Sequence, residues 1–135
     1  MRGKLVIDER SARDVGWGRV LVAEDDPLSR FAIRDCLADD VEVLEAATGR
    51  EALALLAEQP VDLIVTDLVM PEVDGIALTR AIRARGDARV IWCTAHDREE
   101  FRRLARELRV DAYLEKPLDL DQLRSLVLGL LGATR

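Results

Sequence analysis

From Arg19 onward, apolar residues follow two alternating rhythms. Short runs rich in β-branched residues predict strands at Val20–Ala23, Val41–Leu44, Leu63–Thr66, Val90–Cys93 and Ala112–Leu114. Most of these runs are apolar without alternation, as expected of parallel strands covered by helices on both faces. Between them the spacing becomes helical. It is clearest at Phe101, Leu104, Ala105 and Leu108, which recur at i, i+3, i+4 and i+7 among arginines and glutamates and predict a stripe facing the sheet. A helix is predicted from about Pro27 to Leu37, where Asp26 can cap the start and Pro27 suits the first helical position. Further helices are predicted near Arg50–Glu58, Ile76–Arg85 and Leu120–Leu131.

Strands that alternate with helices build a parallel sheet, and the right-handedness of crossover connections leaves few ways to arrange five βα units. The architecture expected is α/β: a flavodoxin-like, doubly wound five-stranded parallel sheet in the order 2-1-3-4-5 with five helices. One folded domain is expected over residues 19–135, with residues 1–18 standing apart as an N-terminal extension. That stretch holds Lys4-Leu5-Val6-Ile7 and a Gly16-Trp17-Gly18 turn, so an added strand is the other arrangement open to it.

Composition narrows the class without changing the architecture. A chain of 135 residues with 49% apolar and 34% charged residues has the balance of one globular domain, and 4% aromatics imply an aliphatic core. No segment approaches the roughly 18 uninterrupted apolar residues of a membrane span, so the cytosol is the compartment expected. Cys36 and Cys93 fall in a predicted helix and strand without metal-ligand spacing, and are read as reduced, buried thiols. A net charge of −6, from 20 basic and 26 acidic residues, argues against direct binding of nucleic acid.

The chemistry lies where the strands end. In open α/β sheets ligands bind beyond the carboxyl ends of the strands. Here Glu24-Asp25-Asp26 follows the first run, Asp67 the third, Thr94-Ala95 the fourth and Lys116-Pro117 the fifth. Carboxylates about 4 Å apart repel by roughly 4 kcal/mol per pair at an effective dielectric of about 20, so gathering Glu24, Asp25 and Asp67 calls for a cation. All-oxygen ligands favour Mg²⁺. With it, Asp67 can act as nucleophile towards a phosphoryl group, while Lys116 and Thr94 offer an ammonium and a hydroxyl to the phosphoryl oxygens.

The order and spacing of these residues closely resemble the receiver domains of two-component response regulators. The resemblance runs from about Arg19 to Leu131. It rests on Val20-Leu21-Val22-Ala23-Glu24-Asp25-Asp26-Pro27, on Thr66-Asp67-Leu68-Val69-Met70-Pro71 with Asp74-Gly75, on Thr94-Ala95, and on Tyr113 followed by Lys116-Pro117. It implies that Asp67 accepts a phosphoryl group from a histidine kinase or histidine phosphotransfer protein. It also implies that Asp25, Asp67 and the backbone carbonyl of Val69 bind Mg²⁺ directly, with Glu24 acting through water. In such domains phosphorylation draws the hydroxyl matching Thr94 inward and the ring matching Tyr113 follows, changing the surface of the fourth helix, fifth strand and fifth helix. The side chains two places after Asp67 and Thr94, here Val69 and His96, are those the resemblance links to the lifetime of the acyl phosphate.

The resulting expectation is a phosphoacceptor switch that catalyses its own phosphorylation and dephosphorylation without turning over a separate substrate. Its output is expected through a downstream protein or a second copy of the chain. On a helical wheel Leu120, Leu123, Val127, Leu130 and Leu131 share one side, and Leu128, lying off it, is the candidate partner contact. Only Gly132-Ala133-Thr134-Arg135 follows the last predicted helix, which leaves two readings open: a single-domain regulator, or a receiver fragment of a larger regulator or hybrid kinase. A Mg²⁺-dependent phosphatase with an aspartyl nucleophile is the rival from another class. It would need a second Asp two residues after the nucleophile, where this chain has Val69.

Overall fold

The structure is a computed structural model and describes residues 17–132. Most of residues 1–18, including Lys4–Ile7, therefore lies outside the described residues. Strand β1 (Arg19–Ala23) leads to helix α1 (Pro27–Leu37), β2 (Glu42–Ala46), α2 (Gly49–Glu58), β3 (Leu63–Asp67) and α3 (Gly75–Arg85). The chain continues through β4 (Arg89–Thr94), α4 (Glu99–Glu107), β5 (Ala112–Glu115) and α5 (Leu120–Gly132). All neighbouring strands are parallel, in the order β2-β1-β3-β4-β5, as the pattern predicts.

Helix starts follow from local chemistry. Asp26 accepts from Ser29 N–H at 2.9 Å with Pro27 opening α1, and Asp74 accepts from Ala77 N–H at 2.8 Å to open α3. At α2, Thr48 accepts from Glu51 N–H at 3.1 Å while Glu51 reaches back to Ala47 N–H at 2.7 Å, a reciprocal arrangement that satisfies two orphan donors.

Alternation along the strands sends side chains to two cores. Leu21, Ala23, Ile64, Val90 and Trp92 pack beneath α2, α3 and α4, whereas Val20, Val22, Leu63, Val65, Ile91 and Cys93 pack against Ile33 and Leu37 of α1 and Leu123, Val127 and Leu131 of α5. The central strands β1, β3 and β4 are buried almost throughout. The edge strands depart from the expected uniform burial. β2 begins at Glu42 rather than Val41 and extends to Ala46, because its ladder is set by pairing with β1, from Arg19 opposite Glu42 to Ala23 opposite Ala46. It exposes one glutamate on each face, Glu42, paired with Arg19 at 3.0 Å, and Glu45, paired with Arg30 at 3.3 Å, charges that blunt an open edge. Trp17 and Gly18 are tied to this edge, since Trp17 N–H donates to Asp40 O at 3.0 Å and Gly18 O accepts from Glu42 N–H at 2.9 Å.

Candidate phosphoacceptor and metal site

Parallel pairing brings the ends of β1, β3, β4 and β5 to one edge of the sheet, with Ala23 opposite Thr66, Asp67 opposite Cys93 and Thr94 opposite Glu115. The residues that follow or end those strands converge there. Lys116 Nζ lies 2.8 Å from Glu24 Oε1 and 2.8 Å from Asp67 Oδ2. Glu24, only 2% exposed, also accepts from Asp26 N–H at 3.0 Å, so both its oxygens are engaged. Its own backbone is fixed by Glu24 N–H donating to Ala46 O at 3.0 Å and by Arg30 Nη1 donating to Glu24 O at 2.9 Å. Asp25 is exposed, and one carboxylate oxygen each from Glu24, Asp25 and Asp67 lie within 4.8 Å of one another.

The electrostatics follow from this crowding. Burial pushes the Glu24 carboxyl above its ordinary value, against the opposing pull of Lys116 and the Asp26 N–H. Burial alone would lower the Lys116 ammonium, but hydrogen bonds and charge from Asp67 and Glu24 outweigh it and raise the group above its ordinary range. Three carboxylates against one ammonium leave the cluster two positive charges short. Its oxygen-only donors fit a hard divalent cation. The Val69 carbonyl, expected as a further ligand, belongs to the loop whose Val69 N–H donates to Asp67 Oδ1 at 3.3 Å.

The loop after Asp67 is shaped by close approach. Gly75 N–H donates to Leu68 O at 3.0 Å, and a Cβ on Gly75 would sit 2.2 Å from the Asp67 carbonyl oxygen. Behind it, Trp92 Nε1 donates to Thr79 Oγ1 at 2.8 Å and Thr79 Oγ1 donates to Gly75 O at 2.7 Å, a buried link from β4 to the start of α3. Cys93 sits beside Asp67 in the ladder, but burial pushes its thiol up to about 12, in keeping with the inert role expected of it.

Neither of the two expected switch residues hydrogen-bonds to Asp67. Thr94 is fully buried, and its Oγ1 accepts from His96 N–H at 2.9 Å and donates to His96 O at 3.3 Å. Tyr113 is half-buried and its hydroxyl donates to Asp97 Oδ1 at 3.0 Å. Arg102 grips the same carboxylate, with Nε at 2.7 Å and Nη2 at 2.9 Å, and lies 4.9 Å over the Tyr113 ring. This bidentate pairing with Arg102 holds the Asp97 carboxyl down at about 2. His96 itself is exposed.

Leu128 differs from its expected placement. It is half-buried against the α1–α5 core, because α1 packs beside α5 and widens the covered arc beyond the sheet-facing side. The strongly exposed apolar side chains among the described residues include Leu28, Phe31 and Val69. Neither the Arg30 brace on Glu24 nor the pairing of Asp97 with Arg102 that receives the Tyr113 hydroxyl was legible in the sequence, which singled out Tyr113 alone of these residues.

Residues 20–128 match the family model described as the response regulator receiver domain. The chain is 36% identical over 117 residues to the sensor histidine kinase TmoS of Ectopseudomonas mendocina, covering 84% of this chain and 12% of that protein. It is also 36% identical over 123 residues to the transcriptional regulatory protein AruR of Pseudomonas aeruginosa, covering 87% of this chain and 50% of that protein. The chain thus spans between about an eighth and a half of these curated relatives. Among solved structures, the receiver domain of the Francisella response regulator 1452 superposes with a TM-score of 0.81 at 32% identity, covering 87% of this chain and 99% of that one. A CheY-like receiver domain protein from Methanospirillum hungatei gives 0.80 at 26% identity, covering 85% of this chain and 94% of that one.

Proposed function

The chain belongs to the response regulator receiver domains of two-component signalling, and from that premise we propose that Asp67 is its phosphoacceptor, that Mg²⁺ is its metal and that a histidine kinase or histidine phosphotransfer protein is its donor. The observation that carries the reading is Lys116 Nζ bridging Asp67 Oδ2 and Glu24 Oε1 at 2.8 Å each, beside the three-carboxylate cluster.

In this reading a carboxylate oxygen of Asp67 attacks the phosphorus of a phosphohistidine. A P–O bond forms, the P–N bond breaks, and its electron pair leaves on the donor's imidazole nitrogen. Lys116 moves its donors from the carboxylates to an incoming phosphoryl oxygen, and Thr94 turns its hydroxyl from His96 to another. Asp25, Asp67 and the Val69 carbonyl, with Glu24 beside them, would hold Mg²⁺, which when bound would neutralise charge on the phosphoryl oxygens. Dephosphorylation is slow, since the Val69 side chain has no polar atom to orient a water. The chain turns over no separate substrate, works in the cytoplasm, and signals through a downstream protein or a second copy, with Leu128 at the edge of that contact. Among the described residues no helix is long and apolar enough to cross a membrane.

Incubation with phosphoramidate and Mg²⁺ followed by intact mass measurement tests the assignment. Wild type is expected to gain one phosphoryl group and Asp67→Asn none, with Asp67→Asn folded by circular dichroism. An equal gain in Asp67→Asn would sink the assignment.

A further inference from the structure

Alternation on the parallel ladder puts Trp92, Thr94, Tyr113 and Glu115 on the same face of the sheet, since Trp92 pairs with Tyr113 and Thr94 with Glu115. Tyr113 therefore flanks the position of Thr94. Its hydroxyl is directed instead to Asp97 at 3.0 Å, and Arg102 closes over its ring at 4.9 Å while holding Asp97 through two short bonds. Arg102 also lies 3.7 Å from Glu115 on the same strand. The Thr94 hydroxyl is held in the same loop, on the backbone N–H and carbonyl of His96, the residue next to Asp97.

We infer that Asp97 and Arg102 are positioning residues, a clasp that retains Tyr113 on the surface and, through the His96–Asp97 loop, keeps Thr94 turned from Asp67 until phosphorylation. The inference rests on the receiver reading and deepens its regulation. A hydroxyl has one proton to donate. For Thr94 Oγ1 to serve an oxygen on Asp67 it must withdraw that proton from His96 O and give up the His96 N–H. The loop then loses its inner anchor at the residue adjoining Asp97, and the hold on Tyr113 loosens with it. Surface position makes the clasp weak enough to open. Arg102 is 45% exposed and Asp97 37% exposed in their side chains, so solvent screens the ion pair and the stacking adds only a modest increment. The same exposure separates the clasp from the packed core, so its removal biases the switch without unfolding the domain.

Tyr113 is the only tyrosine in the chain, so ring-¹³C tyrosine labelling of the full chain gives one residue's signals. In wild type these are expected to shift when phosphoramidate and Mg²⁺ phosphorylate the protein. In unphosphorylated Asp97→Ala they are expected part of the way along the same line. Arg102→Ala should shift them in the same direction, and Arg102→Lys should return them towards wild type by restoring a cation to Asp97 and the ring. Phosphorylation by phosphoramidate should be about 1.5- to fivefold faster in Asp97→Ala, the range that one released surface contact allows. Tyrosine signals at the wild-type resting position in both alanine variants, with unchanged rates, would overturn the clasp. So would a wild-type tyrosine unmoved by phosphorylation that intact mass confirms, while leaving the phosphoacceptor reading in place. Absence of any phosphoryl gain in wild type would instead remove the receiver reading and the clasp with it.

Discussion

Glu24 shows how one residue's environment becomes a measurable property. Its carboxyl lies above the ordinary 4.5, with burial as the largest cause, so the folded protein holds this proton more tightly than the unfolded chain. Ionising Glu24 therefore costs folding free energy. The cost is absent below 4.5, where both states are protonated, and grows as pH rises through the folded-state value. Glu24→Gln removes that titration. In metal-free buffer the thermal stability of Glu24→Gln relative to wild type should rise as pH climbs from below 4.5 to neutrality; a difference independent of pH would contradict the account of Glu24. Residue identities at this site were legible because each apolar run ends on a polar group, and a parallel sheet makes those ends neighbours. The clasp partners Asp97 and Arg102 were not, since their contacts depend on how a loop and the first turn of α4 fold over β5, and nothing in a charged stretch marks that.

At the scale of elements, close backbone approach matters more than propensity. The start of α3 lies against the carbonyl of Asp67, and a Cβ at Gly75 would fall 2.2 Å from that oxygen. Gly75→Ala must displace either the helix or the loop after Asp67, and should lower stability by about 1–3 kcal/mol, the usual range for forced overpacking. Denaturant unfolding measures it, and a loss below about 0.5 kcal/mol, within the scatter of ordinary surface substitutions, would show that the loop has slack. Helix α5 gives a second case. A helical wheel orders residues by angle alone, and could not show that α1 lies beside α5 and covers Leu128 as well as the sheet-facing side. Leu128→Glu is therefore expected to lower the thermal unfolding temperature as well as to weaken any phosphorylation-dependent association. Unchanged stability would mean that Leu128 is less covered than its packing against the α1–α5 core indicates.

For the whole molecule, the order of the strands was legible from five alternating units and the handedness of their crossovers, because helix-covered parallel strands leave few alternatives. The edges were less so. β2 and β5 are only partly covered, and their limits depend on register with a neighbour rather than on their own apolar runs. What the fold accomplishes is to gather one ammonium and three carboxylates from the ends of three strands around a single point, with the Thr94 hydroxyl at the end of a fourth strand held on the backbone of His96. The claim that this point is where a phosphoryl group is held covalently is tested most directly by mapping the acyl phosphate. After phosphoramidate and Mg²⁺ treatment, borohydride reduces an aspartyl phosphate to homoserine, which peptide mass spectrometry locates in the sequence. The account predicts homoserine at Asp67, dependent on Mg²⁺; homoserine at another carboxylate, or at none in protein that remains folded, would contradict it.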